Sequence, residues 1–187
     1  YGKHGRPDLS NTQVMLQGLH DSGLSTDAPV YRRAVQFIAR CQGNAQNEMF
    51  ADQIESDGGF IYATSVDKDT VGMPQSMANP EMIDEARSGR PVSGLRTYGS
   101  MTYAGFKSYI YAGLRRDDPR VLDAYHWIRH HYTLEHNPGL PEAMNMQGYY
   151  YYLMTFARAL SAWGSDRITT GDGRVHDWPS ELSDKLA

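Results

Sequence analysis

The residues best placed to do chemistry lie where three nearly uncharged segments of the chain begin. They are Asp8, Asn11, Tyr98, Ser100, Met101 and Gln147. If the segments form helices that run in the same direction, their first backbone amides and positive dipole ends gather on one side and favour an anionic group such as a diphosphate. Asp8 is the only carboxylate of the set, so we predict it as the catalytic acid and the others as ligand-binding residues. A helix cap is the alternative role for Asp8.

Tyrosines form a second set of candidates. The chain has 13 of them, and Tyr149 to Tyr152 occupy four successive positions, so on a helix they point in all directions. Aromatic faces stabilise cations and offer a large apolar area, which suits a polyprenyl chain or a carbocation. The predicted cavity aromatics are Tyr98, Tyr103, Tyr150 and Tyr151. Tyrosines that fill an ordinary core are the alternative interpretation.

An internal repeat predicts the elements that position these residues. Residues 9–42 align without a gap on residues 99–132. The matched pairs include Gly23/Gly113, Asp27/Asp117 and Pro29/Pro119. Glycine ends a helix at low cost, aspartate caps the next helix, and proline is tolerated in its first turn. Each copy therefore predicts helix, tight turn, helix.

The predicted elements are helices with one long connection and one small hairpin. The helices span 9–23, 28–42, 98–114, 118–133 and 144–163, and a sixth follows the cap Asp177. Residues 43–96 form the connection, and a hairpin spans 168–176. Charge-poor and charge-rich helices alternate, and Lys107 is the only formal charge between Tyr98 and Leu114. This alternation predicts inner helices surrounded by outer ones.

Composition limits the classes of partner. The net charge of −4 gives no electrostatic footprint for nucleic acid. Cys41 is the only cysteine, which excludes a multi-cysteine zinc site and favours a small buried side chain. His126 and His130 have the spacing of a metal-binding pair, but they lie on a charge-rich helix, where solvated histidines are expected. We therefore predict no metal and no cofactor.

Several stretches resemble the squalene-cyclase/prenyltransferase repeat proteins, and terpene cyclase-like bacterial members in particular. They are 8-DLSNTQ-13, 57-DGGFIY-62, 98-YGSMTYAGFKSYIYAGL-114, 117-DDPRVLDAYHWIRHHYTLEHNPG-139 and 147-QGYYYYL-153. The resemblance implies an all-α fold in which antiparallel helix pairs form part of an α/α toroid over residues 1–187. It also implies that further segments of the same protein complete the ring. The DxDD acid motif of the family's cyclases is absent from this chain.

The preferred function is a terpenoid cyclase-like or prenyltransferase-like domain that binds an isoprenoid or another elongated apolar ligand. Peripheral membrane contact fits such a ligand. Two alternatives remain open: a non-catalytic toroid that acts as a protein-interaction scaffold, and a polysaccharide-active α/α enzyme of the lyase type. A closed apolar cavity favours the first function, a cavity filled by side chains favours the scaffold, and an open cleft with Tyr, His and Arg favours the lyase.

Overall fold

A computed structural model of the chain describes residues 7–64, 74–87, 90 and 92–187, and this part is mainly helical. The helices are α1 (Leu9–Asp21), α2 (Pro29–Arg40), α3 (Ile83–Arg87), α4 (Gly99–Tyr111), α5 (Pro119–His130), α6 (Tyr149–Trp163) and α7 (Trp178–Leu186), with 3₁₀ turns at Pro80–Met82 and Glu142–Met144. Strands β1 (Arg167–Thr169) and β2 (Val175–Asp177) form an antiparallel pair. Within the described ranges, no helix has both the length and the apolar character needed to cross a bilayer.

Helix α4 lies at the centre of the core. Every residue from Gly99 to Tyr109 is buried, and α4 packs against α6, α1, α5 and α2. The burial of this nearly uncharged helix confirms the sequence prediction for residues 98–114. A helix that is apolar almost all round can bury its whole surface only when other helices surround it.

Helices α1, α4 and α6 run in the same direction. At their starts, the charge of Asp8 lies close enough to Tyr98 and Tyr151 to contribute to the raised pKa of each phenol, although burial is the larger cause. Electrostatic neighbours at the other ends are Asp21, Tyr111 and Arg158. The first turns of the three helices are near one another, and so are their last turns. The first turns therefore gather on one side of the molecule.

Helix α5 returns antiparallel to α4. The guanidinium of Arg120, at the start of α5, lies 5.7 Å from the ring centroid of Tyr109, at the end of α4. At the opposite end, Thr97 and Trp127 both donate hydrogen bonds to the same carboxylate oxygen of Asp57, at 2.7 and 3.0 Å. Asp57 therefore joins the start of α4 to the last turns of α5.

Cys41 directly follows α2 and lies near the start of α1, so α2 runs antiparallel to α1. Its thiol is fully buried and lies 3.9 Å from the hydroxyl of Thr64. Burial is the main cause that raises the pKa of the thiol to about 12; the Thr64 hydrogen bond and the charge of Arg40 oppose this rise, and the charge of Asp8 adds to it. The prediction of a small buried side chain is confirmed.

The predicted caps of the outer helices are displaced by one residue. The residue that precedes α5 is Asp118, which accepts a hydrogen bond from the Arg120 amide at 3.0 Å, whereas Asp117 pairs with Arg115 at 2.8 Å. Helix α2 follows Ala28, which offers no side-chain cap, so the prediction for Asp27 is also wrong. The reason is that proline takes the first helical position, so the cap is the residue directly before it.

The described part of the long connection packs against the helices. Its Asp-Gly-Gly-Phe turn inserts Phe60, which is fully buried, against Gly105 of α4, where an added Cβ would lie 2.6 Å from the Phe60 ring. The connection also contains α3, a short helix that the sequence did not predict. Residues 65–73, 88–89 and 91 of the predicted connection lie outside the described residues.

The helices begin and end close to the predicted positions, with two informative differences. Helix α4 stops at Tyr111 rather than at residue 114, and Gly113 supplies the left-handed turn with φ +82°. Helix α6 begins at Tyr149 rather than at 144, because Gly148 has φ +63° and interrupts the helical backbone. The hairpin is confirmed, with Ile168 opposite His176.

Candidate functional site

Lys107 occupies the middle of α4 and is the only charged residue of that helix. Its side chain is fully buried, and its ammonium donates hydrogen bonds to the side-chain carbonyls of Gln13 and Gln17, the second at 2.9 Å. Burial, together with the nearby charge of Arg158, lowers the pKa of Lys107 to about 8. The amine therefore loses its proton far more readily than an exposed lysine.

Gln13 connects the three parallel helices. Its carbonyl accepts from Lys107 on α4, while its amide group donates to the hydroxyl of Tyr151 on α6 at 3.3 Å. The ring of Tyr111, one turn after Lys107, has its centroid 5.6 Å from the ammonium. We name this cluster the inner groove; it comprises Gln13, Gln17, Lys107, Tyr111, Tyr151 and Arg158. Gln13 and Lys107 are buried, and the other four side chains reach the surface.

Apolar side chains flank this polar surface. Val14 precedes Gln17 by three residues on α1, and Met154 follows Tyr151 by three residues on α6, so each lies on the same helix face as its groove neighbour. Val14 is 58% exposed and Met154 is 40% exposed. The inner groove thus combines one exposed cationic group, Arg158, and several hydrogen-bonding groups with exposed apolar side chains.

Asp8, the predicted acid, caps helix α1. One carboxylate oxygen accepts from the Asn11 amide at 2.8 Å and from the Ser10 hydroxyl at 2.7 Å, and the other accepts from the Asn11 side chain at 2.7 Å. Asp8 is 8% exposed, and Asn11 is exposed beside it. The cap that the sequence allowed as an alternative is therefore present, and both carboxylate oxygens are engaged in it.

The start of α4 is already occupied by protein acceptors. The amide of Ser100 donates to the side-chain oxygen of Asn137 at 2.9 Å, and the amide of Gly99 donates to the carbonyl of Pro138 at 2.7 Å. Asn137 also donates to the Ser100 hydroxyl at 3.1 Å. These two amides are therefore not open to an anion. Met101, which is 2% exposed, also lies in the core.

The predicted cavity tyrosines separate into three environments. Tyr98 and Tyr103 are buried in the core, at 3% and 0% exposure, and the Tyr103 ring packs against Phe156 with centroids 5.1 Å apart. Tyr151 lines the inner groove. Tyr150 is 78% exposed, and Gln147 is exposed at the preceding turn. The structure thus brings Asp8, Tyr98 and Tyr151 together, whereas Tyr103 lies in the core and Tyr150 on the surface.

The histidines of α5 border an open cleft of about 500 Å³ between α5 and residues 43–58. The His126 and His130 rings are tilted by 38° with centroids 4.1 Å apart, and both residues are exposed, as the sequence predicted. In the part of the chain that the structure describes, no group of three or more His, Cys, Asp or Glu side chains is arranged to hold a metal ion.

A second cluster of titratable groups joins α5, the hairpin and α7. Glu181 accepts from the Tyr132 hydroxyl at 2.8 Å and lies 2.9 Å from Nδ1 of His176. Burial and the Glu181 carboxylate raise the pKa of Tyr132 well above its usual range. These groups border an open cleft of about 300 Å³, which we name the hairpin cleft; it is lined by Arg129, His130, Tyr132, Asp172, Arg174 and His176, together with Thr170 and Gly171.

Sequence reasoning missed the residues that hold the inner groove together. Gln13 and Gln17 are spaced by four residues on α1, and Lys107 is the lone charge of a buried helix. These two signals are visible in the sequence, but only the structure shows that they face each other. Asn137 precedes Pro138 and Gly139, which indicate only a turn in the sequence, and its contact with Ser100 joins residues that are 37 positions apart.

Comparison with known proteins gave no relatives for this chain. No protein-family model, no curated protein and no solved structure matches it.

Proposed function

We propose that this chain forms part of an α/α toroid and that its inner groove binds an isoprenoid or another elongated apolar ligand. The parallel course of α1, α4 and α6, with α2 and α5 returning outside them, is the arrangement that a ring of helix pairs requires. The resemblance to terpene cyclase-like proteins adds to this proposal, although likeness at the level of the fold does not define an activity.

The observation that carries the proposal is the pairing of apolar and cationic groups along the groove. Val14 and Met154 expose apolar surface, which gains free energy when a hydrocarbon chain covers it. The exposed guanidinium of Arg158 supplies positive charge beside it, and the buried ammonium of Lys107 lies behind the surface. A ligand with a long apolar body and a polar or anionic end, such as a prenyl alcohol or prenyl diphosphate, satisfies both kinds of group.

The proposal covers binding and assigns no proton transfer. Asp8 is engaged in the α1 cap through both oxygens, so protonation of an alkene by this carboxyl would have to compete with the cap. Tyr151 donates no side-chain bond to Asp8 but accepts from Gln13. Its hydroxyl and aromatic face are the groups we expect to contact the ligand near the start of the groove.

Native mass spectrometry with farnesol and farnesyl diphosphate tests this proposal. We expect both probes to bind the purified chain, and Val14→Glu and Met154→Glu to weaken both, because each places a charge beside the apolar body. Arg158→Gln should weaken farnesyl diphosphate alone. Leu122→Glu is the matched control, since Leu122 is 49% exposed on the outer helix α5. Mass spectrometry of the purified protein before any addition should also show a co-purifying polyprenyl lipid.

A protein-interaction scaffold is the second candidate, and the packing of the predicted wall favours it. Tyr98, Ser100, Met101 and Tyr103 are each at most 4% exposed, so this part of α4 is filled by its own side chains. If neither probe binds, or if Leu122→Glu weakens binding as much as Val14→Glu does, the groove is not an isoprenoid site and the scaffold becomes the better interpretation.

A further inference from the structure

The hairpin cleft lies apart from the inner groove and is lined by two arginine side chains, Arg129 and Arg174. The acidic side chains nearby are Asp172 in the lining and Glu181, which contacts Tyr132 and His176, so they balance the charges of the two arginines. Arg174 pairs with Asp172 at 3.3 Å, and both side chains are largely exposed.

Arg129 is the anchor that the cleft offers to an anion. Its Nε group donates to the backbone carbonyl of Thr169 in β1, which fixes the guanidinium against the hairpin. Among the described residues, no carboxylate pairs with it. The planar guanidinium presents further N–H donors in a fixed fork, and this geometry matches a carboxylate.

His176 supplies a second kind of recognition. The Glu181 carboxylate at Nδ1 favours the tautomer in which Nδ1 carries the proton, and that tautomer leaves Nε2 as a hydrogen-bond acceptor. The ring of Tyr132 lies 4.4 Å from the His176 ring and limits its rotation. An acceptor held near two guanidinium groups suits a ligand that carries a hydroxyl beside its carboxylate.

We propose that the hairpin cleft is a binding site for a hydroxycarboxylate, with Arg129 and Arg174 contacting the carboxylate and His176 accepting from the hydroxyl. Two sources share this chemistry, a sugar acid and a small hydroxy acid. Glucuronate and lactate serve as probes for the two sources. Glucose lacks the carboxylate, acetate lacks the hydroxyl, and inorganic phosphate supplies a dianion of different shape.

NMR titration of the whole chain tests the proposal through the Arg129 Nε–H and His176 ring signals. We expect saturable shifts with glucuronate, lactate or both, and weaker binding of acetate, glucose and phosphate. Arg174→Gln should weaken binding several-fold without disturbing the fold, because that side chain is 80% exposed. Arg129→Gln should weaken binding about tenfold or more, since it removes a charge-assisted bidentate contact.

Arg167→Gln is the matched control, because Arg167 is an exposed arginine of β1 that does not line the cleft. Saturation by glucuronate alone identifies a sugar-acid site, and saturation by lactate alone identifies a small hydroxy acid. The proposal is overturned if neither probe saturates, if phosphate or acetate binds as tightly as both, or if Arg167→Gln reduces binding as much as Arg174→Gln.

Discussion

The buried ammonium of Lys107 donates a 2.9 Å hydrogen bond to the side-chain carbonyl of Gln17, and neither this partner nor Gln13 carries a negative charge. A buried lysine that donates to two amide carbonyls keeps its hydrogen bonds. Its positive charge, however, is not neutralised as it would be by a carboxylate. The contact between α1 and α4 therefore depends on the protonation state of a single amine.

This dependence predicts that stability rises with pH between about 8 and 10.5. The folded chain holds the pKa of Lys107 near 8, below its ordinary value of 10.5, so in this interval the unfolded chain binds more protons. The proton on Lys107 therefore disfavours the folded state below pH 8, and this penalty disappears as the pH rises. We expect a gain of roughly 1–2 kcal/mol, reduced from the full shift because Gln17 is partly open to solvent.

Urea unfolding at pH 7.5 and pH 9.5, for wild type and Lys107→Met, measures this gain. The methionine variant shares all other titrating groups, including Cys41 and the buried tyrosines, so the difference between the two proteins isolates Lys107. Equal changes in the free energy of unfolding for both proteins would show that the amine is not the cause.

Substitutions at Asp8 separate a cap from a catalytic acid. Asp8→Ala removes the acceptor of the Asn11 amide and should lower the free energy of unfolding by about 1 kcal/mol. Asp8→Asn retains one acceptor oxygen and should lose less than half of that. Chemical denaturation measures both values. A capping role is contradicted if Asp8→Ala leaves stability unchanged.

Gly105 and Gly18 are both helical glycines with opposite surroundings. At Gly105 an added methyl would lie 2.6 Å from the Phe60 ring, whereas at Gly18 nothing lies within 4 Å. Gly105→Ala should destabilise the protein by about 2–3 kcal/mol through overpacking. Gly18→Ala should instead stabilise it by up to about 1 kcal/mol through helix propensity. Thermal unfolding of the two variants, read against wild type, should give shifts of opposite sign.

Asn137 should contribute more to the start of α4 than Ser100 does. Asn137→Ala leaves the buried Ser100 amide without its acceptor and should cost about 2 kcal/mol. Ser100→Ala keeps that amide bond and loses only the hydroxyl contact, so its effect should be smaller. Hydrogen exchange at the residue 100 amide provides the direct measurement. Faster exchange in Ser100→Ala than in Asn137→Ala would argue against this assignment.

The sequence predicts the helices well because their determinants are local. The repeat placed Gly113 at a helix end, and its φ of +82° confirms that role. The cap at Asp117 was wrong by one position, since the proline fixes the first helical residue and therefore makes Asp118 the cap. Helix α3 was missed because its five residues lie in a segment rich in turn-forming residues.

The candidate site was harder to predict because its contacts join distant parts of the chain. Gln13 and Lys107 are 94 residues apart, and no sequence pattern in either segment indicates that the two side chains are in contact. Asp8 and Tyr98 were predicted to lie on the same side of the molecule, because parallel helices bring their first turns together. The difference between Tyr150, exposed, and Tyr152, buried, depends on the angular position of α6, and four successive tyrosines do not reveal it.

The shared direction of α1, α4 and α6 also shapes the electric field inside the protein. Parallel helices add their macrodipoles, so partial negative charge accumulates where the three helices end. Helices α2 and α5 begin on that same side, after short turns that lead to Pro29 and Pro119, and their positive poles face the accumulated charge. The two returning helices therefore oppose part of the summed dipole of the three outgoing ones.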